Sequence, residues 1–361
     1  MTQFGNSQAK WETTTSTNFG LDAKFLKDKV NFSIDVFNRR TTDMLFPVEI
    51  QLTQGVASAP FRNIGEMVNK GVELGLGYDG TINKDLSFSI NGIFATYKNE
   101  VVKTNGNPLT LYPGFSNLRL PTGTVSYTQQ GRPIASFYGL TIDGIFQTDK
   151  EGSEYLKQFG GTYNKAGMFK YKDSNGDGKV DNSDISFIGS PHPDFTYGVN
   201  LGVNYKGFAL DVMGQGVQGN KIFNFTRYWT DFPTFAGNRS KTALNDSWLP
   251  GKTDAKLAIF GFKETISSTP STYYLEDGSY FRLTNIQLTY NIPSDIISKI
   301  GMDNLAVYVQ GQNLLTITKY TGLDPDINAR NYATGSDRML GVDESAYPSY
   351  KALLFGVRVG F

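Results

Sequence analysis

The densest chemistry in this 361-residue chain lies in twelve consecutive residues, Asp173-Ser174-Asn175-Gly176-Asp177-Gly178-Lys179-Val180-Asp181-Asn182-Ser183-Asp184. Side-chain oxygens recur at positions 1, 3, 5, 9 and 12 of the run, on Asp173, Asn175, Asp177, Asp181 and Asp184. The carbonyl of Lys179 takes position 7, and Gly178 at position 6 permits the sharp turn such a loop needs. An all-oxygen set at this spacing predicts a structural Ca²⁺, because four clustered carboxylates repel one another unless a cation neutralises them. Asp at position 12 reaches less far than the bidentate Glu usual there. The competing reading is an Asp/Gly-rich turn that holds no metal. Residues 166–171 and 185–189 read as extended on either side, so a bound ion would stiffen a loop rather than catalyse.

Other groups that could do chemistry point nowhere in common. His192 is the single histidine and stands between Pro191 and Pro193, a poor setting for a general base. No glycine-rich phosphate loop joins a strand to a helix. Nothing selects a pair of carboxylates for glycoside hydrolysis. The chain is therefore not expected to be an enzyme. Aromatics crowd residues 221–276, and Tyr228, Trp229 and Trp248 are the candidates there for contact with a substrate or partner. Packing of the same rings within their own loop is the competing account.

The elements that would carry these groups are strands. Phe19, Leu21, Ala23 and Phe25 alternate with Gly20, Asp22 and Lys24; Val199, Leu201, Val203 and Tyr205 alternate with Asn200, Gly202 and Asn204. The same period of two runs through 30–36, 72–78, 86–91, 208–212, 285–292, 305–310 and 352–361, the last ending on Phe361. Helical spacing is confined to Ser294 through Ile300. Connections alternate in length: 27–29, 80–85 and 206–207 are tight, whereas 45–65, 100–115, 148–192, 221–276 and 318–349 are long. Short turns on one rim and long loops on the other are the pattern of a transmembrane antiparallel β-barrel. Phe37, Phe46, Tyr78, Tyr97, Tyr205 and Tyr290 stand near strand ends, where a barrel carries its aromatic girdle.

Composition agrees. Lys+Arg and Asp+Glu are equal at 34 each, which leaves no excess of basic residues for nucleic acid. No apolar run is long enough for a membrane helix, and alternation keeps the overall hydropathy low. There is no cysteine. No export signal follows Met1. Strand counting gives about eleven, two of them weaker ones near 118–130 and 134–147. An odd, open set of strands would leave orphan backbone groups in lipid, so the chain is expected to be part of a larger barrel.

Several stretches taken in order resemble the C-terminal half of SusC/RagA-type TonB-dependent outer-membrane transporters. They are Trp11-Glu12-Thr13-Thr14, Asn63-Ile64-Gly65 with Asn69-Lys70-Gly71-Val72-Glu73, Ser136-Phe137-Tyr138-Gly139 and Gly189-Ser190-Pro191 through Pro193-Asp194-Phe195. Tyr280-Phe281-Arg282-Leu283, Gly311-Gln312-Asn313-Leu314-Leu315, Tyr320-Thr321-Gly322-Leu323-Asp324-Pro325 and the terminal Phe361 complete the set. The resemblance implies an all-β chain carrying about half of a 22-stranded barrel over residues 1–361, without the plug domain or a signal peptide. It further implies a SusD-like surface lipoprotein as partner, TonB acting through the plug, and import of oligosaccharides or peptides across the outer membrane. A siderophore-type receptor would show similar strands. A soluble, secreted glycan-binding β-protein with a Ca²⁺ loop is the reading from a different class.

Overall fold

Alternating side chains make a ribbon with one oily and one polar face, and nine such ribbons are hydrogen-bonded side by side in the computed structural model of this chain. The structure describes residues 6–48, 60–107, 109–114, 116, 120, 123–233, 237–261, 268–327 and 340–360. The wall strands are β1 (Thr13–Phe25), β2 (Val30–Pro47), β3 (Phe61–Asn83), β4 (Leu86–Lys103), β5 (Phe195–Tyr205), β6 (Phe208–Gln218), β7 (Tyr280–Asn291), β8 (Asn304–Thr318) and β9 (Ala352–Gly360). Each pairs antiparallel with the next in this order. Phe361 itself lies outside the described residues.

Turn chemistry sets one rim. Lys206 and Gly207, both at positive φ, close the β5–β6 hairpin in two residues, as a turn matching strand twist requires. Between β3 and β4, Asn83 Oδ1 accepts the Asp85 N–H. The β7–β8 link is the helical segment expected at Ser294 to Ile300: an α-turn over Ser294–Ile297, then a 3₁₀ turn over Ser298–Ile300 that ends on Gly301 at φ 71°. The opposite rim carries the long excursions 48–60, 104–194, 219–279 and 319–351.

Two of the expected wall strands are not in the wall. Ser126–Thr128 and Ser136–Gly139 belong to a separate four-stranded sheet, and Ile142–Ile145 pairs with Phe169–Tyr171. Ser136–Gly139 is buried at every residue, so no face remains for lipid. Residues 117–119 and 121–122 are not among those described. Losing two strands at once leaves the rim alternation intact, because 104–194 becomes one excursion on the long-loop side.

Register carries the apolar residues into continuous rows. Phe25, Val30, Tyr78, Ile90, Leu201, Val212 and Ile286 lie side by side across β1 to β7. Phe88, Val203, Leu210, Leu288, Val309 and Phe355 form the next row across β4 to β9. These side chains are not covered by a second layer, and Phe355 is 80% exposed. On β4 the band runs from Leu86 to Thr96. The ten residue-to-residue steps at about 3.4 Å each, tilted by about 40°, span about 26 Å, the height of a hydrocarbon belt. The other face carries Asp79, Ser89, Gly202, Asp211, Gln287 and Gln310 in one row, which suits a wet lumen.

The girdle expectation is corrected in part. Tyr78, Tyr205 and Tyr290 stand on the oily face near the short-turn rim. Phe37 and Tyr97 are one residue out of phase and face the lumen side, and Phe46 is buried against Tyr112. A second aromatic group, Phe94, Phe195, Tyr197 and Phe281, occupies the long-loop end of the oily face instead.

Candidate functional site

The buried core of this chain lies above the wall, not beneath it. Residues from 120–188, 223–275 and Val342 build one apolar cluster that includes Phe137, Phe146, Phe169, Phe223, Phe225 and Tyr274. The described parts of the excursions 104–194, 219–279 and 319–351 thus fold together into a cap on one rim. Beyond β6 the chain turns at Gly219 (φ 88°), where a Cβ would collide with the Asp194 carboxylate. It then rises as Lys221–Asn224, paired with Leu275–Asp277 and, in parallel, with Val342–Asp343.

A set of polar groups inside the cap engages one another. Glu276 accepts from Asn224 Nδ2 at 2.7 Å, from the Thr321 N–H at 2.8 Å and from Arg227 at 3.0 Å. Tyr320 donates to Asp343 Oδ2 at 2.5 Å, and burial with that neighbouring carboxylate pushes its hydroxyl pKa up. Arg282, only 5% exposed, pairs with Asp324 and at 3.4 Å with Asp326. Asp324 also accepts the N–H groups of Asp326 and Ser349. Burial alone would raise the Asp324 pKa, but those N–H groups and Arg282 outweigh it and hold the carboxyl below its usual range. Two of the sequence stretches named above, 280–283 and 320–325, meet in this ion pair.

The candidate contact aromatics sit within this cap. Tyr228 is buried and stacks on Phe225 with ring centroids 5.3 Å apart, and Trp229 meets Tyr228 edge-on at 5.0 Å. Trp248 is buried, covers Gly167, and donates from Nε1 to Gln147 Oε1 at 3.1 Å. Of the three, Trp229 alone keeps part of its surface open. His192 is held by Tyr97 at Nδ1 and by the Ile134 carbonyl at Nε2, and burial lowers its pKa. A ring spanned in this way is a strut between the wall and the cap.

The acidic loop projects from the same cap. It is anchored by Val180, a member of the core cluster that also pairs with Gln158 in a parallel bridge. Its flanks are extended over Phe169–Tyr171 and Ser186–Gly189, whereas 166–168, expected to be extended, form a turn. Inside the loop each acid turns onto a backbone amide. Asp173 accepts from Gly176 at 2.6 Å and Gly178 at 2.9 Å, Asn175 from Asp177 at 2.9 Å, and Asp177 from Lys179 at 3.2 Å. Gly178 has φ 85°, which a side chain would strain. The buried Asp184 accepts from Ser174 at 2.7 Å and Asp181 at 2.8 Å. Lys179 Nζ lies 2.5 Å from Asp181, which with Ser183 holds the Asp181 carboxyl well below the usual range and raises Lys179. The Gly178 N–H lowers Asp173 in the same sense. Among the described residues no three acidic or histidine side chains already meet at one point. The donor chemistry, all oxygen with Asp173, Asp177 and Asp181 at the surface, fits a hard cation.

Sequence reasoning missed the Arg282–Asp324 pair and the Glu276 network, whose partners are separated by 42 and 45 or more residues. Their local signal was only an unpaired Arg beside an aromatic strand start and an Asp in a Gly-Leu-Asp-Pro turn.

The profile of the family described as "TonB dependent receptor-like, beta-barrel" matches residues 1–314. TonB-dependent receptor P3 of Formosa agariphila is 32% identical over 100% of this chain and 35% of its own length. TonB-dependent receptor SusC of Bacteroides thetaiotaomicron is 25% identical over 99% of this chain and 32% of its own length. The chain therefore spans about a third of the curated relatives it matches. A solved structure of the RagAB peptide importer in the "open-open" state superposes on 100% of this chain and 36% of its own, with TM-score 0.76 and 26% identity. With an exposed oily belt, a polar inner face and loops gathered on one rim, this chain belongs to the TonB-dependent receptor β-barrel family, as a SusC/RagA-type wall segment of the outer membrane.

Proposed function

We propose that these residues form part of the wall and mouth of an outer-membrane importer for oligosaccharides or peptides, driven by TonB and assisted by a SusD-like lipoprotein. The observation that carries the reading is the division of faces: hydrocarbon-compatible rows outside, small polar groups inside, and a separately cored cap at the mouth. Both outer strands of the sheet, β1 and β9, have an unpaired edge among the described residues. Such edges cannot stand in lipid, where each orphan backbone group costs several kcal/mol, so further strands complete the wall. The peptide class is supported by the RagAB importer and the oligosaccharide class by the sequence resemblance. A soluble glycan binder is disfavoured by the uncovered belt. The test is uptake by cells that carry the full-length protein, with and without a functional TonB system. Loss of growth on one glycan or peptide source when either is removed is expected; unchanged uptake of every such source would refute the reading.

The acidic loop serves this mouth as a Ca²⁺ brace held by Asp173, Asn175, Asp177, Asp181, Asp184 and the Lys179 carbonyl. The ion would supply positive charge at the loop centre, and Lys179 would give up part of its hold on Asp181. Chelation, or Asp177→Ala, is expected to speed proteolysis within 173–184. Cleavage that is equally fast with Ca²⁺, with chelator and in the variant would show that the loop holds no ion.

A further inference from the structure

We propose that the oily face of β1 to β4 carries, at its long-loop edge, a binding groove for a phosphate-bearing lipid of the outer leaflet. The inference rests on the reading that this face meets lipid, and goes beyond it by naming a site and a headgroup chemistry. Register places Phe19, Val36, Val72 and Thr96 in one row and Thr17, Asn38, Lys70 and Lys98 in the next row toward the long loops. A groove of about 920 Å³ runs along both rows. Its lower part is apolar and its upper part is cationic, the order in which an acyl chain and a headgroup would fill it.

The lysines are the unexplained feature. Lys70 and Lys98 are direct partners across β3 and β4. Like charges directly opposite one another destabilise a strand pair. Glu100 relieves Lys98 in part, at 3.5 Å, while Lys98 keeps 82% of its side chain exposed. No carboxylate pairs with Lys70 among the described residues, and the neighbouring Arg40 is already paired with Glu66. Asp194 borders the groove on its β5 side. The chain has no net charge, so the pair is not part of a generally basic surface. Both lysines lie just beyond the apolar band, where long cationic side chains reach headgroups. One phosphate between two ammonium groups removes their repulsion, while Phe19, Val36 and Val72 hold the chain below it.

The experiment is thermal unfolding of the full-length protein in detergent, titrated with diphosphoryl lipid A, with dephosphorylated lipid A and with inorganic phosphate. The diphosphoryl lipid is expected to raise the unfolding temperature and the other two are not. Lys70→Gln with Lys98→Gln, both exposed and safe for folding, is expected to weaken the apparent affinity about thirtyfold. Lys27→Gln with Lys29→Gln, on the opposite rim, is expected to leave it unchanged. An equal response of the Lys70/Lys98 variant, or an equal response to the dephosphorylated lipid or to inorganic phosphate, would overturn the site. A protein that stays monodisperse without detergent would instead overturn the membrane reading on which the site rests.

Discussion

Asp324→Asn tests whether the cap is fastened to the wall by a buried charge pair. In the structure Arg282 and Asp324 keep 5% and 8% of their side-chain surface exposed, so the guanidinium depends on this carboxylate. Breaking a buried pair by neutralising one partner costs about 3–5 kcal/mol. Asp326, 3.4 Å from Arg282 and 35% exposed, stays behind and offsets part of that loss. The expected penalty is therefore about 2–4 kcal/mol, a factor of about thirty to about seven hundred in the opening equilibrium. The opening is local, because the wall strands keep their own hydrogen bonds, so the assay is the rate of limited proteolysis within 319–351 of the full-length protein. Arg282→Met combined with Asp324→Leu removes both charges and is expected to restore most of the resistance. Proteolysis of Asp324→Asn at the native rate would refute the fastening role. A double variant as labile as the single one would refute the charge-pair explanation.

Trp248→Ala removes a buried ring and its bond to Gln147, and is expected to cost the cap about 3–4 kcal/mol, seen as a lower unfolding temperature with the β-signal of the wall unchanged. Gly167→Ala should act in the same direction, because φ is 84° and the new methyl would meet the Trp248 ring. The acidic loop should tolerate acid. Its Asp173 and Asp181 have lowered pKa values, so their contribution is complete above the ordinary carboxylate range near about pH 4 and fades only as pH falls through the lower folded values. Hydrogen exchange of the Gly176, Gly178 and Ser183 amides, corrected for intrinsic rate, should keep its protection down to about pH 4 and lose it below. Loss of protection already at about pH 5 would contradict the assignment.

The wall was legible because its physics is local. A period of two, read from Val199 to Tyr205 or from Leu353 to Val359, fixes both the strand and its outward face without knowledge of any partner. The error at 118–147 came from the same rule. Ser136-Phe137-Tyr138-Gly139 has the β-rich content of a wall strand, but it is buried on both faces by residues far away in sequence, and alternation cannot report that. The acidic loop was legible as a motif because its oxygen-bearing side chains are neighbours in sequence. The cap was not, since Phe137 meets Phe223 and Tyr274 only after two long excursions fold, and Arg282 finds Asp324 across 42 residues. The aromatics of 221–276 left their role open, because a ring that could stack on a sugar is also the ring a cap needs for its own core.

The central claim, that the alternating apolar rows face hydrocarbon, has a direct measurement. The absence of cysteine from these residues allows single cysteines to be placed one at a time along β5 and β9 and spin-labelled in the full-length protein reconstituted in bilayers. Collision with oxygen, which concentrates in lipid, and with a water-soluble nickel complex is then read at each site. Labels at Leu201, Val203, Phe355 and Val357 should be oxygen-accessible, and labels at Asn200, Gly202 and Gly356 should not, in strict alternation. Equal accessibility of the two sets to the nickel complex, or shielding of Leu201 and Phe355 from both reagents, would contradict the account.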